Sequence, residues 1–292
     1  MSIPEAVRGL LSARRPETHK GDYGHVLLLA GSPGFTGAAA LCALGVLRCG
    51  SGLVTVGVPA SLQDVMAAKL TEAMTWALPE TKTRTLAATA ANDILLQADR
   101  YDAAGVGPGV SLQPATVAAV RRLVAQWPKP LVVDADGLTA LVEDPGALKK
   151  ATAPRVLTPH PGELARLLQQ PVADIQRNRE GIARRVARDW RCVVVLKGHR
   201  TVVADLEGRA YVNDTGHPGM AGGGMGDVLT GVIVSLIGQG LAPFAAAKLG
   251  VYLHGAAGEL ARDRIGEAGL LASDVAHTIP QAIREYLRNA PA

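Results

Sequence analysis

Short, continuous apolar runs alternate along this chain with longer stretches whose apolar positions recur at helical spacing. The first run covers residues 25–30, and its lack of polar alternation is the mark of a strand buried on both faces, as in a parallel sheet. Further strands are predicted over residues 53–58, 101–106, 130–133 and 155–157, with a short one near 75–78. Helices are predicted over 38–49, 62–70, 86–97, 115–126, after residue 163 and along a long stretch, 172–190. The texture then changes, and residues 192–197, 200–205 and 209–212 read as close-set strands, the last pair joined by a turn at 205–208. An apolar helix through 228–237 is followed by two more over 243–262 and 273–288, the last capped by Ser273 and Asp274. Residues 1–20 read as a short helix and a polar arm. Strand and helix alternate with short connections, so the pattern predicts an α/β fold with a mostly parallel central sheet. No linker, low-complexity tract or long repeat interrupts it, and residues 1–292 read as a single domain.

The carboxyl ends of these strands carry Gly, Asp or His: Gly31 to Gly37, Gly107-Pro108-Gly109, Asp134-Ala135-Asp136 and His160. Open α/β sheets bind ligands at that edge. The loop after the first strand has no G-x-G-x-x-G and no G-x-x-x-x-G-K-[ST], so neither a standard dinucleotide fingerprint nor a P-loop is supported.

The stretch that organises the chemistry is 213–237, where Gly219, Gly222, Gly223, Gly224 and Gly226 precede Asp227 and an apolar helix. A glycine loop feeding a helix leaves unpaired N–H groups at the positive end of the helix dipole. The expected result is an anion hole from Gly223, Gly224, Met225 and Gly226, with Asp227 at its mouth. Asp227 reads either as a helix cap, worth about 1 kcal/mol, or as a general base beside a phosphate, worth roughly 10²–10⁴ in rate. The cluster of glycines favours the base, because a cap alone needs no such loop.

Composition narrows the classes. The 292 residues are 48% hydrophobic, ample for a core. Aromatics are only 3%, which argues against stacking platforms for nucleic acid. The net charge of +4 is spread along the chain and suits a phosphorylated small ligand. Cys42, Cys49 and Cys192 form no C-x-x-C pair, as expected of buried thiols in a reducing, cytoplasmic setting. The N-terminus lacks the apolar core of a signal peptide, and no apolar run approaches the roughly 20 residues that span a bilayer. Membrane and nucleic acid are therefore not expected partners.

Other clusters stay open on the residues alone. Lys197, Gly198, His199, Arg200 and Thr201 form a strand–turn–strand that either lines a nucleotide or is an ordinary hairpin. His160, held between prolines, is either a ligand contact or a structural histidine. Asp134 and Asp136 either help hold a metal–phosphate complex or cap a helix. Gly107 either shapes a turn or lets backbone approach a substrate. No Ser/His/Asp triad follows from spacing, and G-x-S-x-G is absent.

Taken together, the motifs resemble the ADP-dependent NAD(P)H-hydrate dehydratases of the ribokinase-like superfamily. The likeness runs through Lys20-Gly-Asp-Tyr-Gly-His-Val, Gly107-Pro-Gly, Asp134-Ala-Asp136, Leu157-Thr-Pro-His-Pro-Gly-Glu163, Val195-Leu-Lys-Gly198 and the run from Asn213 to Gly231. The resemblance implies a ribokinase-like three-layer sandwich and an activity that removes water from the S epimer of hydrated NADH or NADPH. It implies ADP as co-substrate, Mg²⁺ as cofactor and a homotetramer. It further implies that Ala38, Gly107, His160 and Asp227 contact the hydrated cofactor, and that Lys197, Gly198, His199, Arg200, Thr201 and Gly226 contact the adenine nucleotide. It names no metal ligands. His217 stands where the family commonly has Asn. Many relatives carry a fused epimerase domain; with some 20 residues before the first strand, a separate epimerase is expected here. The rival readings are an ATP-dependent kinase of a small alcohol, such as a hydroxymethylpyrimidine or hydroxyethylthiazole, and a nucleotide-sensing module without turnover.

Overall fold

The computed structural model describes residues 3–289; residues 1–2 of the predicted arm and residues 290–292 of the predicted domain lie outside the described residues. The strands are β1 His25–Leu29, β2 Leu53–Pro59, β3 Met74–Leu78, β4 Ala103–Val106, β5 Leu131–Val133, β6 Arg155–Leu157, β7 Val193–Leu196, β8 Val202–Ala204 and β9 Ala210–Val212. The helices are α1 Thr36–Cys49, α2 Gln63–Lys69, α3 Ala90–Leu96, α4 Pro114–Gln126, α5 Asp136–Thr139 and α6 Gly146–Lys149. They continue with α7 Pro161–Leu168, α8 Val172–Arg177, α9 Arg179–Trp190, α10 Met225–Gly238, α11 Pro243–Ile265 and α12 Ala272–Asn289.

All strands join one sheet in the order β3-β2-β1-β4-β5-β6-β7-β8-β9. Pairing is parallel from β3 through β7 and antiparallel for β8 and β9. Alternation along β1 explains the layers. Val26 and Leu28 face a core shared with α1, α10, α11 and α12, whereas Leu27 and Leu29 face a second core shared with α3, α4, α7 and α9. Both faces of the strand are dry, which is why its sequence is continuously apolar.

The chain runs from β1 outward through β2 and β3, then returns to β4 on the other side of β1. The carboxyl ends of β1 and β4 thus border a topological switch point, the usual crevice for a ligand in such sheets. Glycines seat α10 over it. Gly45 of α1 lies where a Cβ would meet Val228 O at 2.5 Å, and Gly105 of β4 lies where one would meet Val234 Cγ2 at 2.9 Å. A side chain at Gly45 would drive α1 and α10 apart, and one at Gly105 would push α10 off the sheet.

Several predicted elements are corrected. The helix expected over 86–97 begins only at Ala90, because Leu86 bridges back to Glu80 and its carbonyl is taken by Thr116 Oγ1 at 2.9 Å. The stretch 172–190 breaks at Asn178, whose φ of −141° is not helical and whose side chain accepts from Gly181 N to start α9. The strand expected from residue 200 starts at Val202, since Arg200 adopts φ +55° in the turn. Ser273 lies inside α12, and Asp274 is not the cap: its Oδ2 reaches back to accept from Leu271 N at 2.9 Å. The short helices α5 and α6 lack a periodic stretch long enough to announce them.

Candidate active site

Five neighbouring strands deliver their carboxyl-end loops to one edge, and hydrogen bonds from backbone N–H groups tie the loops together. Gly31 N donates to Pro108 O at 2.8 Å, joining the loops after β1 and β4. Ser111 N donates to Asp136 Oδ2 at 2.9 Å, joining the loops after β4 and β5. Lys197 N donates to Pro159 O at 2.9 Å, joining those after β6 and β7. Gly107, with φ +128°, lies so close to the Asp134 carbonyl that no side chain fits between them. Ala38 sits in the first turn of α1, at the same edge, where a Cβ on Gly109 would touch it at 3.3 Å.

The glycine loop closes over this row. Gly224, φ +87°, is the N-cap of α10, so Met225, Gly226 and Asp227 are its first three residues. The first backbone bond of the helix is Val228 N to Gly224 O, at 3.1 Å. Among the described residues, the amides of Gly223 through Asp227 find no backbone or side-chain acceptor, as the anion-hole expectation requires. Asp227 makes no capping bond, which removes the helix-cap reading.

Beneath the loop lies a chain of charges. Lys197 Nζ donates to Asp134 Oδ1 at 2.6 Å and stands 3.7 Å from Glu163 Oε2. Asp134, fully buried, has its other oxygen bonded by Thr230 Oγ1 at 2.8 Å. Thr230 is three residues past Asp227 on α10, so the same helix face carries both. A Cβ on Gly226 would lie 3.3 Å from Lys197 Nζ, which puts the lysine directly under the helix start. Burial alone would lower the Lys197 pKa, but Asp134, Glu163 and Asp227 outweigh it and hold the ammonium above its ordinary value.

Asp227 has the opposite problem. Burial first, then the charge of Asp134, raises its carboxyl to about 7, while Lys197 acts against them. A carboxyl that titrates near neutrality and lacks a hydrogen-bond partner can accept a proton from an incoming hydroxyl.

His160 is the N-cap of α7: its Nδ1 accepts from Gly162 N at 3.0 Å and Glu163 N at 3.3 Å, while Glu163 Oε2 accepts from His160 N at 2.7 Å. Half of the imidazole still faces solvent at the site edge. His217 orders its turn, accepting from Gly219 N at 3.1 Å and pairing with Gly258 O at 3.0 Å. Neither Asp134 nor Asp136 caps a helix through its side chain; one is in the ion pair and the other fixes Ser111. His199 and Arg200 are exposed at the turn, and Thr201 Oγ1 donates to Gly198 O at 2.9 Å. Cys42, Cys49 and Cys192 are free and buried, and burial pushes all three thiols up, Cys49 to about 12.

Thr230 and His254 also border the site, and no sequence motif marks them. Thr230 hides in an apolar helix, and only its spacing from Asp227 marks it. His254, on α11, packs against the Met225 backbone with Nε2 unpartnered, and burial lowers its pKa to about 4, so it is neutral.

A sheet with this switch point, carrying a glycine turn, a buried helix and a carboxylate at its mouth, is that of the ribokinase-like proteins. The chain belongs to the NAD(P)H-hydrate dehydratase family, whose model matches residues 26–281. It is 35% identical over 295 residues to an ADP-dependent (S)-NAD(P)H-hydrate dehydratase of Bacillus subtilis, covering 98% of this chain and 100% of that one. A crystal structure of the ADP/ATP-dependent NAD(P)H-hydrate dehydratase of Bacillus subtilis, co-crystallised with ATP and Mg²⁺, superposes with a TM-score of 0.83 over 96% of both chains at 35% identity. A bifunctional NAD(P)H-hydrate repair enzyme of Moorella thermoacetica is 48% identical over 277 residues, which are 95% of this chain and 52% of that protein. The chain thus spans about half the length of the bifunctional relatives it matches. No described helix is long and apolar enough to cross a membrane.

Proposed function

We propose that the protein is a lyase of nicotinamide-cofactor repair, dehydrating the S epimer of hydrated NADH or NADPH while ADP becomes AMP and phosphate. The observation that carries this reading is an unpaired Asp227 carboxyl, raised to about 7, beside a row of free amides. Hydroxide leaves poorly, so the hydroxyl at C6 of the hydrated ring is first made into a phosphate ester. Asp227 takes the hydroxyl proton as the oxygen attacks the terminal phosphorus of the nucleotide. The Gly223–Gly226 amides hold the transferring phosphoryl, and most of the remaining barrier is positioning and charge. Phosphate then departs from C6 with its bonding pair, driven by the ring nitrogen, and loss of a proton from C5 restores the double bond.

In this reading Ala38, Gly107 and His160 border the hydrated ring, and residues 197–201 with Gly226 border the nucleotide. Among the described residues no cluster of three His, Cys, Asp or Glu forms a metal cage. Mg²⁺ fits such a site by keeping its waters and borrowing phosphate oxygens, with one or two carboxylates such as Asp136 alongside. We read residues 1–292 as one such domain, working in the cytoplasm as a homo-oligomer, a tetramer by the family's habit.

The test mixes the protein with hydrated NADH and Mg²⁺, then adds ADP or ATP separately, and follows the near-ultraviolet absorbance of the reduced ring. Recovery with ADP, with AMP and phosphate formed, supports the proposal. No recovery with either nucleotide, and phosphorylation of a small alcohol instead, overturns it in favour of a kinase.

A further inference from the structure

Behind the loop that joins β7 to β8 sits Arg179, the first residue of α9, and its half-buried guanidinium serves this loop. Nη2 donates to the carbonyls of Leu196 at 2.9 Å and Lys197 at 3.2 Å, and Nη1 donates to Gln176 Oε1 at 3.0 Å. Its Nε is buried and bonded to nothing. Every one of those acceptors is neutral. Gly198, with φ +132°, lies where a Cβ would be 3.3 Å from both Nη1 and Nη2, so the loop rests directly on the guanidinium.

Three guanidinium or ammonium groups surround this loop, and two are already neutralised. Lys197 is paired with Asp134 at 2.6 Å, and Arg200 with Asp214 at 3.0 Å. Arg179 has no acidic partner within ion-pair distance among the described residues. Burying a cation among neutral acceptors is costly unless an anion completes the pairing.

We propose that Arg179 is the positioning residue of the nucleotide subsite: it fixes the Leu196–Gly198 backbone and lends its unpaired charge to the nucleotide's phosphates. This rests on residues 197–201 being the nucleotide subsite. A charge directed at the phosphates has two consequences that plain structural support would lack. Affinity lost on removing the charge must grow with the number of phosphates, and the hydrated cofactor must not feel it.

The experiment compares the full-length protein with its Arg179→Met, Arg179→Lys and Gly198→Ala variants, each checked by thermal melting. Binding of ADP, AMP and adenosine is measured by calorimetry, and the KM for hydrated NADH by the absorbance assay. Arg179→Met should weaken ADP about tenfold, AMP less, and adenosine hardly at all, with KM for the hydrated cofactor unchanged. Arg179→Lys should restore part of the loss, because an ammonium keeps the charge but not the fork that spans two carbonyls. Equal weakening of ADP and adenosine, or unchanged ADP binding in a variant that melts normally, overturns the assignment. Should Gly198→Ala alone weaken ADP, the subsite stands and Arg179 falls. Should neither variant change nucleotide binding, both fall.

Discussion

Lys197 Nζ lies 2.6 Å from Asp134 Oδ1, so the ammonium nearest the glycine loop is spent on a buried carboxylate and only partly relieves Asp227. Asp134 therefore does two things at once. It anchors the lysine under α10, and its charge adds to burial in keeping the Asp227 proton on up to about pH 7. The ion pair tunes the Asp227 carboxyl as well as serving as a strut.

The first consequence is kinetic. A base must be deprotonated to act, so kcat/KM should climb through about pH 7 and level off above it. A profile measured in the absorbance assay that is already flat at pH 5 would mean that Asp227 ionises like an ordinary carboxylate, or is not the base.

The second is thermodynamic. Unfolded, the Asp227 carboxyl ionises near 3.8; folded, near 7. Below the lower value both states hold the proton and nothing is lost. As pH rises between the two, the unfolded chain binds fewer protons than the folded one, so stability falls, and above 7 the loss is constant at up to roughly 4 kcal/mol. Asp227→Asn should therefore melt higher than the parent at pH 8 and nearly with it below pH 4. The same variant should lose at least about a hundredfold in turnover while still binding nucleotide. A loss of under about tenfold would refute the base assignment.

These features were unevenly legible in the sequence. Parallel strands buried on both faces and a glycine run before an apolar helix are local patterns, so β1, α10 and the place of Asp227 in its first turn could be read directly. Thr230 and Arg179 could not. Each matters through a partner remote in sequence, Asp134 for the one and the Leu196–Lys197 backbone for the other. The break at Asn178 was hidden for a similar reason: the apolar spacing on either side is helical, and only a capping side chain divides it. His160 illustrates a residue with two readings, since its cap geometry is local and compatible with a ligand on its exposed side.

Thr230→Val tests the buried end of this network. The isosteric change removes the hydroxyl donor at 2.8 Å from Asp134 and leaves one carboxylate oxygen without a partner in the dry core. Stability should fall by about 1.5–3 kcal/mol, as for a hydrogen bond to a charged group. With its charge less well held, Asp134 raises Asp227 further, so the rise of kcat/KM should move to higher pH. A melting curve and pH profile both matching the parent would show that Asp134 does not depend on Thr230.

Gly107→Ala and Gly223→Ala form a pair that separates fold from site. Gly107, φ +128°, abuts the Asp134 carbonyl, so an added methyl is both strained and blocked; the variant should melt lower by roughly 2 kcal/mol or more. Gly223 is different: its φ is not positive, and a Cβ there meets nothing within 4 Å. Adding a methyl should leave melting unchanged or raise it by about 0.4–1 kcal/mol through the unfolded chain. If the open space beside Gly223 is where the phosphoryl group travels, turnover should nevertheless fall about tenfold or more, because the methyl stands between the amides and the phosphate. Full activity in Gly223→Ala, with an unchanged KM for ADP, would mean that the phosphoryl group does not pass this loop.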